Sequence, residues 1–452
     1  MRIAELTGRR VAVWGFGREG HAVLQALRER LPGQEIVLLC SAAEVEAARA
    51  FDPTLGLVVG EPDADTLAGF DVAVKSPGVS AYKPALLAAQ ARGLRVTSGT
   101  ALWFAENPDA RVIGVTGTKG KSTTSALIAH LARALGVRTA LAGNIGLPLL
   151  QLLGQHAELW VVELSSFQTG EAGPLALGVV TSLYQEHLDW HGTFERYMAD
   201  KLRITAVSRR LLVNGGQAPL LEQTGAHPAR STFGSGSRWH LQAGFICRDG
   251  QRVFDVARLP MPGVHNAGNA CAALAALELV GLDALAAAPA LASFRPLPHR
   301  LHLLGERDGR SWVDDSISTT PLATLAALES LHDRVVTVLV GGFDRGVDWT
   351  LFVEKVRATP PVAIVCMGAN GVRIAAALHA ARVPCPVILA ADLAGAVAAA
   401  SAATPPGGVI LLSPGAPSFD QFRNYAERGR TFASLAGFNG GSLADISGLG
   451  IA

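Results

Sequence analysis

The run Val115-Thr116-Gly117-Thr118-Lys119-Gly120-Lys121-Ser122-Thr123 collects residue types that handle polyphosphate. It lies between an apolar stretch that reads as a strand and a stretch, Ser125 to Leu135, that reads as a helix. Glycines in such a turn let backbone N–H groups converge on a phosphate chain, and the positive end of the helix adds to the attraction. Lys121 can reach the β- and γ-phosphates, and the Ser122 hydroxyl can ligate magnesium. The usual phosphate loop has its first glycine where Val115 stands; this chain has Gly117 instead, a shortened variant. An ordinary strand-to-helix turn is the bland reading, and it leaves the lysine and hydroxyl unexplained.

Further along, Glu163 ends an apolar run and is followed by Leu164-Ser165-Ser166-Phe167-Gln168. A carboxylate at the end of a strand near a phosphate loop suits magnesium. His187, in Gln185-Glu186-His187-Leu188-Asp189-Trp190-His191, and Lys201, in Asp200-Lys201-Leu202-Arg203, complete a metal-capable set. Taken alone, such a histidine is structural and such a lysine is solvated.

Near the N-terminus, Gly15-Phe16-Gly17-Arg18-Glu19-Gly20 follows a predicted strand and opens a predicted helix. A nicotinamide site requires an acid about 20 residues on, at the end of the second strand, to hold the ribose. That strand ends Leu38-Leu39-Cys40-Ser41 and the nearest acid is Glu44, so a dehydrogenase is disfavoured. The glycines suit a non-redox nucleotide diphosphate, or close helix–strand packing. Lys75-Ser76-Pro77-Gly78-Val79 reads as a turn.

These motifs need scaffolds, and the chain supplies three series of them. Strands at Arg10–Trp14, Ile36–Leu39, Leu57–Val59, Val72–Val74 and Leu94–Val96 alternate with helical stretches, the first being Gly20–Leu31. A second series runs from Arg111–Val115 through Trp160–Glu163 and Val179–Leu183; a third contains Val335–Val340, Val362–Met367 and Val409–Leu412. Alternation of this kind gives parallel sheets. The expected fold class is α/β, with three consecutive domains: Rossmann-like over 1–108, P-loop ATPase-like over 109–296 and Rossmann-like over 297–452. No short-period repeat is present.

Composition narrows the function. Of 452 residues, 49% are hydrophobic and 17% charged, enough for packed cores and too few charges for wholesale disorder. Lys plus Arg less Asp plus Glu is 39 − 38 = +1, which excludes a strong general attraction to nucleic acid or anionic lipid. No uncharged apolar run has the length of about 18 residues that a membrane span needs. The stretch Val383–Thr404 is broken by Asp392 and reads as strand, loop and helix. The N-terminus reads directly into a strand with no signal-peptide pattern. Cys40, Cys247, Cys271, Cys366 and Cys385 are scattered and suit reduced thiols, so a cytoplasmic location is expected.

VTGTKGKST, GNIGLP, VVELSSFQ, EHLDWHG, DKLRI, PGVHNAGNA, FRPLPHR and SPGAPSFDQF occur in the order and spacing of the Mur ligases, and the chain resembles that family over essentially its whole length. The resemblance implies an ATP-dependent amide ligase of peptidoglycan synthesis, most similar to the enzymes that add glutamate to UDP-N-acetylmuramoyl-L-alanine through an acyl phosphate. It implies ATP binding by Gly117, Thr118, Lys119, Gly120, Lys121, Ser122, Thr123, Asn266, Arg300 and Asp315. It implies one magnesium on Ser122 and Glu163 and a second on His187 and a carbamoylated Lys201. Gly15, Phe16, Gly17, Ser76, Pro77, Gly78 and Asn144 would hold the UDP-sugar, and Thr319, Ser418 and Tyr425 the glutamate. A monomer is the family expectation.

One departure concerns the glutamate. D-glutamate-adding members resemble Asn-Asp-Ser-Lys-Ala-Thr-Asn at a place where this chain has Asp314-Asp315-Ser316-Ile317-Ser318-Thr319-Thr320. Thr319 matches the threonine, but Ile317 removes a cation expected to hold a substrate carboxylate. Either a neighbouring arginine substitutes for it or the amino acid sits differently. DSISTTP, SPGAPSF and LAGFNGGSLADISGLG resemble a smaller group that adds L-glutamate and leaves inversion to a separate epimerase. D-glutamate in a drifted pocket is the alternative, and a non-catalytic nucleotide-binding regulator a remoter one.

Overall fold

The computed structural model describes residues 1–184, 188–261, 263–344, 346–442 and 448–452. They divide into two compact units, Met1–Phe294 with Gly448–Ala452, and Arg295–Ser447.

The first unit holds two large sheets, one wholly parallel and one parallel but for a short returning strand. One contains β1 (Val11–Trp14), β2 (Ile36–Cys40), β3 (Gly56–Val59), β4 (Val72–Lys75) and β5 (Arg95–Thr97), in the order β3-β2-β1-β4-β5. Every residue of the central β1 and β4 is buried, because helices cover both faces of such a sheet. That is why these strands read as continuous apolar runs and not as alternating ones. Gly15 leaves β1 with φ +98°, and the helix Arg18–Arg30 follows, burying Ala22, Val23, Leu24, Ala26 and Leu27.

The other sheet contains β6 (Val112–Thr116), β7 (Thr139–Gly143), β8 (Leu159–Glu163), β9 (Leu177–Val180), β10 (Leu211–Asn214) and β11 (Arg230–Phe233), in the order β11-β10-β9-β6-β8-β7. Residues Gly450–Ile451 return to pair antiparallel with β7, and Arg133 holds them by donating to the carbonyls of Gly448 and Gly450. Nothing in the sequence announced this return, which puts Gly448–Ala452 with the first unit. A small antiparallel sheet of β12 (Trp239–Gln242), β13 (Phe245–Arg248) and β14 (Gln251–Asp255) completes the unit.

The second unit has one sheet, β15 (His302–Arg307), β16 (Arg310–Asp314), β17 (Val336–Val340), β18 (Ala363–Cys366), β19 (Val387–Leu389) and β20 (Val409–Leu412), in the order β15-β16-β20-β17-β18-β19. Only the β15–β16 pair is antiparallel. The mixed α/β class read from the sequence is the one observed.

Most strands fall within a residue or two of their expected places; two elements differ for physical reasons. The helix after β6 begins at Lys121, four residues before the expected Ser125, because Gly120 adopts the left-handed conformation (φ +86°) and starts it there. The run Val179–Leu183 leaves the sheet after Val180, since Thr181 and Ser182 turn to bond the phosphate-loop residues. Among the described residues, no helix is long and apolar enough to cross a membrane.

Candidate active site

Three strand ends meet in the seven-stranded sheet. Register places Val115 of β6 beside Glu163 of β8, and Thr116 beside Val180 of β9. The loop 117–120 therefore leaves the sheet between a carboxylate and the Thr181–Ser182 turn. That turn fixes the loop: Thr118 N donates to Ser182 O (2.8 Å), Lys119 N to Ser182 Oγ (2.7 Å), and Thr181 Oγ1 to Lys119 O (2.5 Å). A Cβ at Gly117 would lie 2.0 Å from Thr181 Oγ1, and one at Gly120 would lie 2.5 Å from Asn269 Oδ1. Both glycines also have positive φ, so no other residue fits here without moving the loop.

Two lysines converge on the loop. Lys121 Nζ donates to Thr118 O at 3.0 Å, and Lys201 Nζ donates to Gly117 O at 2.9 Å. Lys201 is buried and also lies 4.9 Å from the centre of the Tyr197 ring, whose hydroxyl shares a 2.7 Å hydrogen bond with Thr118 Oγ1. Ser122 and Thr123 open the helix, buried at its first turn.

Glu163 is 1% exposed. Its Oε1 accepts from Asn144 Nδ2 at 2.7 Å, while Oε2 is buried with no hydrogen-bond partner. An orphaned carboxylate oxygen in the interior is costly unless a cation or donor arrives. The hard oxygen of Glu163 and the Ser122 hydroxyl in the first turn after the loop are the donor types magnesium takes, so the residues present fit a nucleotide-bound magnesium. Among the described residues no cluster of three or more His, Cys, Asp and Glu side chains forms a self-sufficient metal site. Asn144, expected at the UDP-sugar, spends one amide N–H on Glu163 and keeps its other N–H and its Oδ1. His187 lies outside the described residues.

A hydrogen-bonded chain anchors the helix Phe194–Leu202, which carries Lys201. Ser166 Oγ donates to His191 Nε2 (2.9 Å), His191 Nδ1 to Asp200 Oδ2 (2.7 Å), and Tyr82 OH to both Asp200 oxygens (2.7 and 2.8 Å). Nδ1 carries the imidazole proton in this arrangement, because the carboxylate can only accept. Thr169 Oγ1 adds a bond to Asp200 O at 2.6 Å. Sequence reasoning missed Tyr82, His191, Tyr197 and Asn269, since no motif spacing links them.

In the five-stranded sheet, the Gly15 and Ser76 turns lie side by side: a Cβ on Gly15 would sit 3.0 Å from Ser76 Oγ. Gly20 packs so closely that a Cβ would lie 2.0 Å from Gly15 O, which accounts for the third glycine of the fingerprint as helix–strand packing. Gly17 caps the helix in extended conformation. Phe16 turns its ring into the core against His21 and Phe51, leaving only its main chain for a ligand. Pro77 is half-buried and Gly78 exposed. Buried Lys75 pairs with Glu171 at 3.1 Å, and burial together with the Glu171 charge raises the Glu19 carboxyl to about 7. Asn266 lies on the helix Val264–Leu279, and its Oδ1 accepts from Asn269 (3.4 Å).

The second unit contains the remaining candidates. Asp315 is buried, with Oδ2 accepting from Ser413 Oγ (2.7 Å) and Ser318 Oγ and Oδ1 from Leu301 N (3.1 Å). Burial pushes its carboxyl up to about 6, against the pull of those bonds and of Arg300. Between about pH 4 and 6 the folded chain therefore keeps a proton that the unfolded chain releases. The stability this contributes is present below pH 4 and lost as pH rises through about 6. Asp315→Asn should flatten that part of the stability–pH curve, read by denaturant unfolding; an unchanged slope would contradict the assignment.

Arg300 stands between two residues with positive φ, His299 (+60°) and Leu301 (+44°). His299 Nδ1 is 2.6 Å from Asp314 Oδ2, and the helix Tyr425–Leu435 presses Gly429 against the pair. A Cβ there would lie 2.1 Å from His299 Nδ1 and 2.6 Å from Asp314 Oδ2. Gly429→Ala should destabilise the chain by about 1–3 kcal/mol in chemical denaturation, the usual range for overpacking. Thr319 is half-buried ahead of Thr320, which caps the next helix; Ser418 is buried, and Tyr425 is half-buried at the start of its helix.

A parallel sheet with a glycine loop between strand and helix, two lysines on that loop and a buried carboxylate beside it define a phosphate-loop nucleotide-binding enzyme. Residues 115–277 match the Mur ligase middle domain. A UDP-N-acetylmuramoyl-L-alanine–L-glutamate ligase of Xylella fastidiosa is 49% identical, with both chains fully covered. One of Salinispora tropica is 41% identical over 96% of this chain and 98% of its own. The UDP-N-acetylmuramate–alanine ligase MurC of Thermotoga maritima shares the fold with a TM-score of 0.60 at 19% identity, covering 95% of this chain and 99% of that one. The Thermotoga maritima MurF ligase in complex with ADP gives 0.58 at 18% identity, covering 94% and 93%. The chain belongs to the Mur ligase family, the ATP-dependent ligases of peptidoglycan precursors.

Proposed function

We propose that this ligase joins L-glutamate to UDP-N-acetylmuramoyl-L-alanine. The γ-phosphoryl group of ATP passes to the terminal carboxylate of the alanine, giving an acyl phosphate and ADP. The glutamate amine then attacks the acyl carbon, loses a proton, and phosphate leaves. Phosphorylation is needed because a carboxylate oxygen is a poor leaving group; the remaining task is positioning and charge neutralisation.

The observation that carries the reading is the orphaned Glu163 oxygen beside a loop gripped by Lys121 and Lys201. Loop N–H groups of residues 117–123 and the Lys121 ammonium would neutralise the phosphates, and Asn266, Arg300 and Asp315 would complete the ATP site. Ser122 and Glu163 would hold one magnesium, and His187 with carbamoylated Lys201 a second. Magnesium supplies positive charge against the phosphate oxygens. Carbamoylation changes Lys201 from a cation to an anionic ligand; as an ammonium it donates to Gly117 O. The Gly15–Gly17 and Ser76–Gly78 turns would take the UDP-sugar, and Thr319, Ser418 and Tyr425 the glutamate. We read residues 1–108, 109–296 and 297–452, less the returning Gly448–Ala452, as the UDP-sugar, ATP and amino-acid segments, working as a cytoplasmic monomer upstream of an epimerase.

L over D follows the specificity that the relatives' names carry and the missing cation at Ile317. The deciding measurement is ADP release with UDP-N-acetylmuramoyl-L-alanine and Mg-ATP, comparing the two glutamate isomers. Turnover with L-glutamate is expected. Preference for D-glutamate would overturn the stereochemical assignment, and no release with either would overturn the reaction.

A further inference from the structure

Arg428 is 1% exposed, and burial lowers it to about 10. It projects from the helix Tyr425–Leu435 and ties two loops to it: Nε donates to Ser316 Oγ (3.0 Å), and Nη2 to Ser316 O (2.8 Å) and Ala416 O (3.0 Å). Its Nη1 is buried with no hydrogen-bond partner. Among the described residues no carboxylate forms an ion pair with it. Asp314 and Asp420 act on it only at a distance; Asp314 is already bonded to His299 and Ser316 N, and Asp420 to Ala369 N. A buried cation without a counter-charge is costly, and an arriving anion relieves that cost.

The surroundings say which anion. Ser316 precedes Ile317, where the family's substrate-holding lysine is missing, and stands three residues before Thr319. Ala416 is two residues before Ser418, and Tyr425 begins the arginine's own helix. On the Nη1 side lies Gly342, where a Cβ would come within 2.3 Å of Pro417 O and 3.0 Å of that nitrogen, so no side chain fits against Nη1 there. The two free N–H groups of Nη1 are the donors left for a carboxylate, and a guanidinium is the cation best suited to hold one when buried.

We propose that Arg428 binds a carboxylate of the incoming glutamate, supplying the positive charge that Ile317 lacks. This rests on the glutamate-ligase reading. In steady-state ADP release by the full chain, Arg428→Met should raise the KM for L-glutamate by at least about 30-fold, as expected for a lost charge-assisted bond, with the KM for ATP and the UDP-sugar changing less than about threefold. Arg428→Lys should recover part of the loss. Ile317→Lys placed in the Arg428→Met background should lower the glutamate KM again, a response that a structural role does not give. Should Arg428→Met fail to fold, Ser316→Ala keeps the arginine, removes its Nε acceptor, and should raise the glutamate KM alone. An unchanged glutamate KM, or all three constants rising together in the Met and Ser316→Ala variants, overturns the proposal while leaving the ligase reading intact. Absence of turnover with either isomer in the unsubstituted protein overturns both.

Discussion

Replacing Lys121 by alanine is expected to lower kcat for ADP release by at least about 10³-fold, or about 4 kcal/mol of barrier. The loop supplies main-chain dipoles, but Lys121 is the full charge at its helix end, lying across the loop on Thr118 O. Phosphoryl transfer spreads charge over the γ-phosphate oxygens, and in a water-poor loop a fixed cation is worth far more than in solvent. The loop's own shape is set by Thr181 and Ser182, so the substitution should leave the thermal midpoint within about 2 °C while turnover collapses. A variant retaining more than a tenth of the activity would remove the phosphate loop from the chemistry.

The second large effect is at Lys201. Lys201→Ala should be inactive, with turnover falling about 10³-fold, and should regain activity in a dose-dependent way with added acetate or propionate. Apart from Lys201, the helix is held through Asp200 by Tyr82, His191 and Thr169, so alanine leaves a space in an ordered frame. Only a missing carboxylate-like oxygen pair is restored by such acids; a missing ammonium is not. Loss without rescue would assign Lys201 its observed role, donor to the Gly117 carbonyl, and would discard the carbamate.

The sequence disclosed most of the sheets because parallel strands covered on both faces leave uninterrupted apolar runs, and Val409–Leu412 was read to the residue. It disclosed the phosphate loop because positive φ at Gly117 and Gly120 restricts those positions to glycine. What it concealed has no local signature. Asp200, His191, Ser166 and Tyr82 meet only through the fold, and Tyr82 lies 118 residues from Asp200. Arg428 belongs to no motif; its buried hydrogen bonds are to Ser316, 112 residues earlier, and Ala416. Asn144 carried a family expectation of sugar binding, yet its amide is on Glu163, a contact set by the β7–β8 register. Pattern reports secondary structure, whereas polar networks report tertiary contact.

The pairing of Gly450–Ile451 with β7 has a kinetic side. Gly450 follows its partner Leu141 by 450 − 141 = 309 residues, so this contact closes a loop spanning the whole second unit. Closure of so long a loop costs only slightly more entropy than a short one, but it is slow. During synthesis the β7 edge stays unpaired, with its N–H and C=O groups available to other strands, until the ribosome has released residue 451. Arg133 waits with two carbonyl partners still to come. A refolding experiment following amide protection should find β7 protected last in its sheet, after β6, β8 and β9.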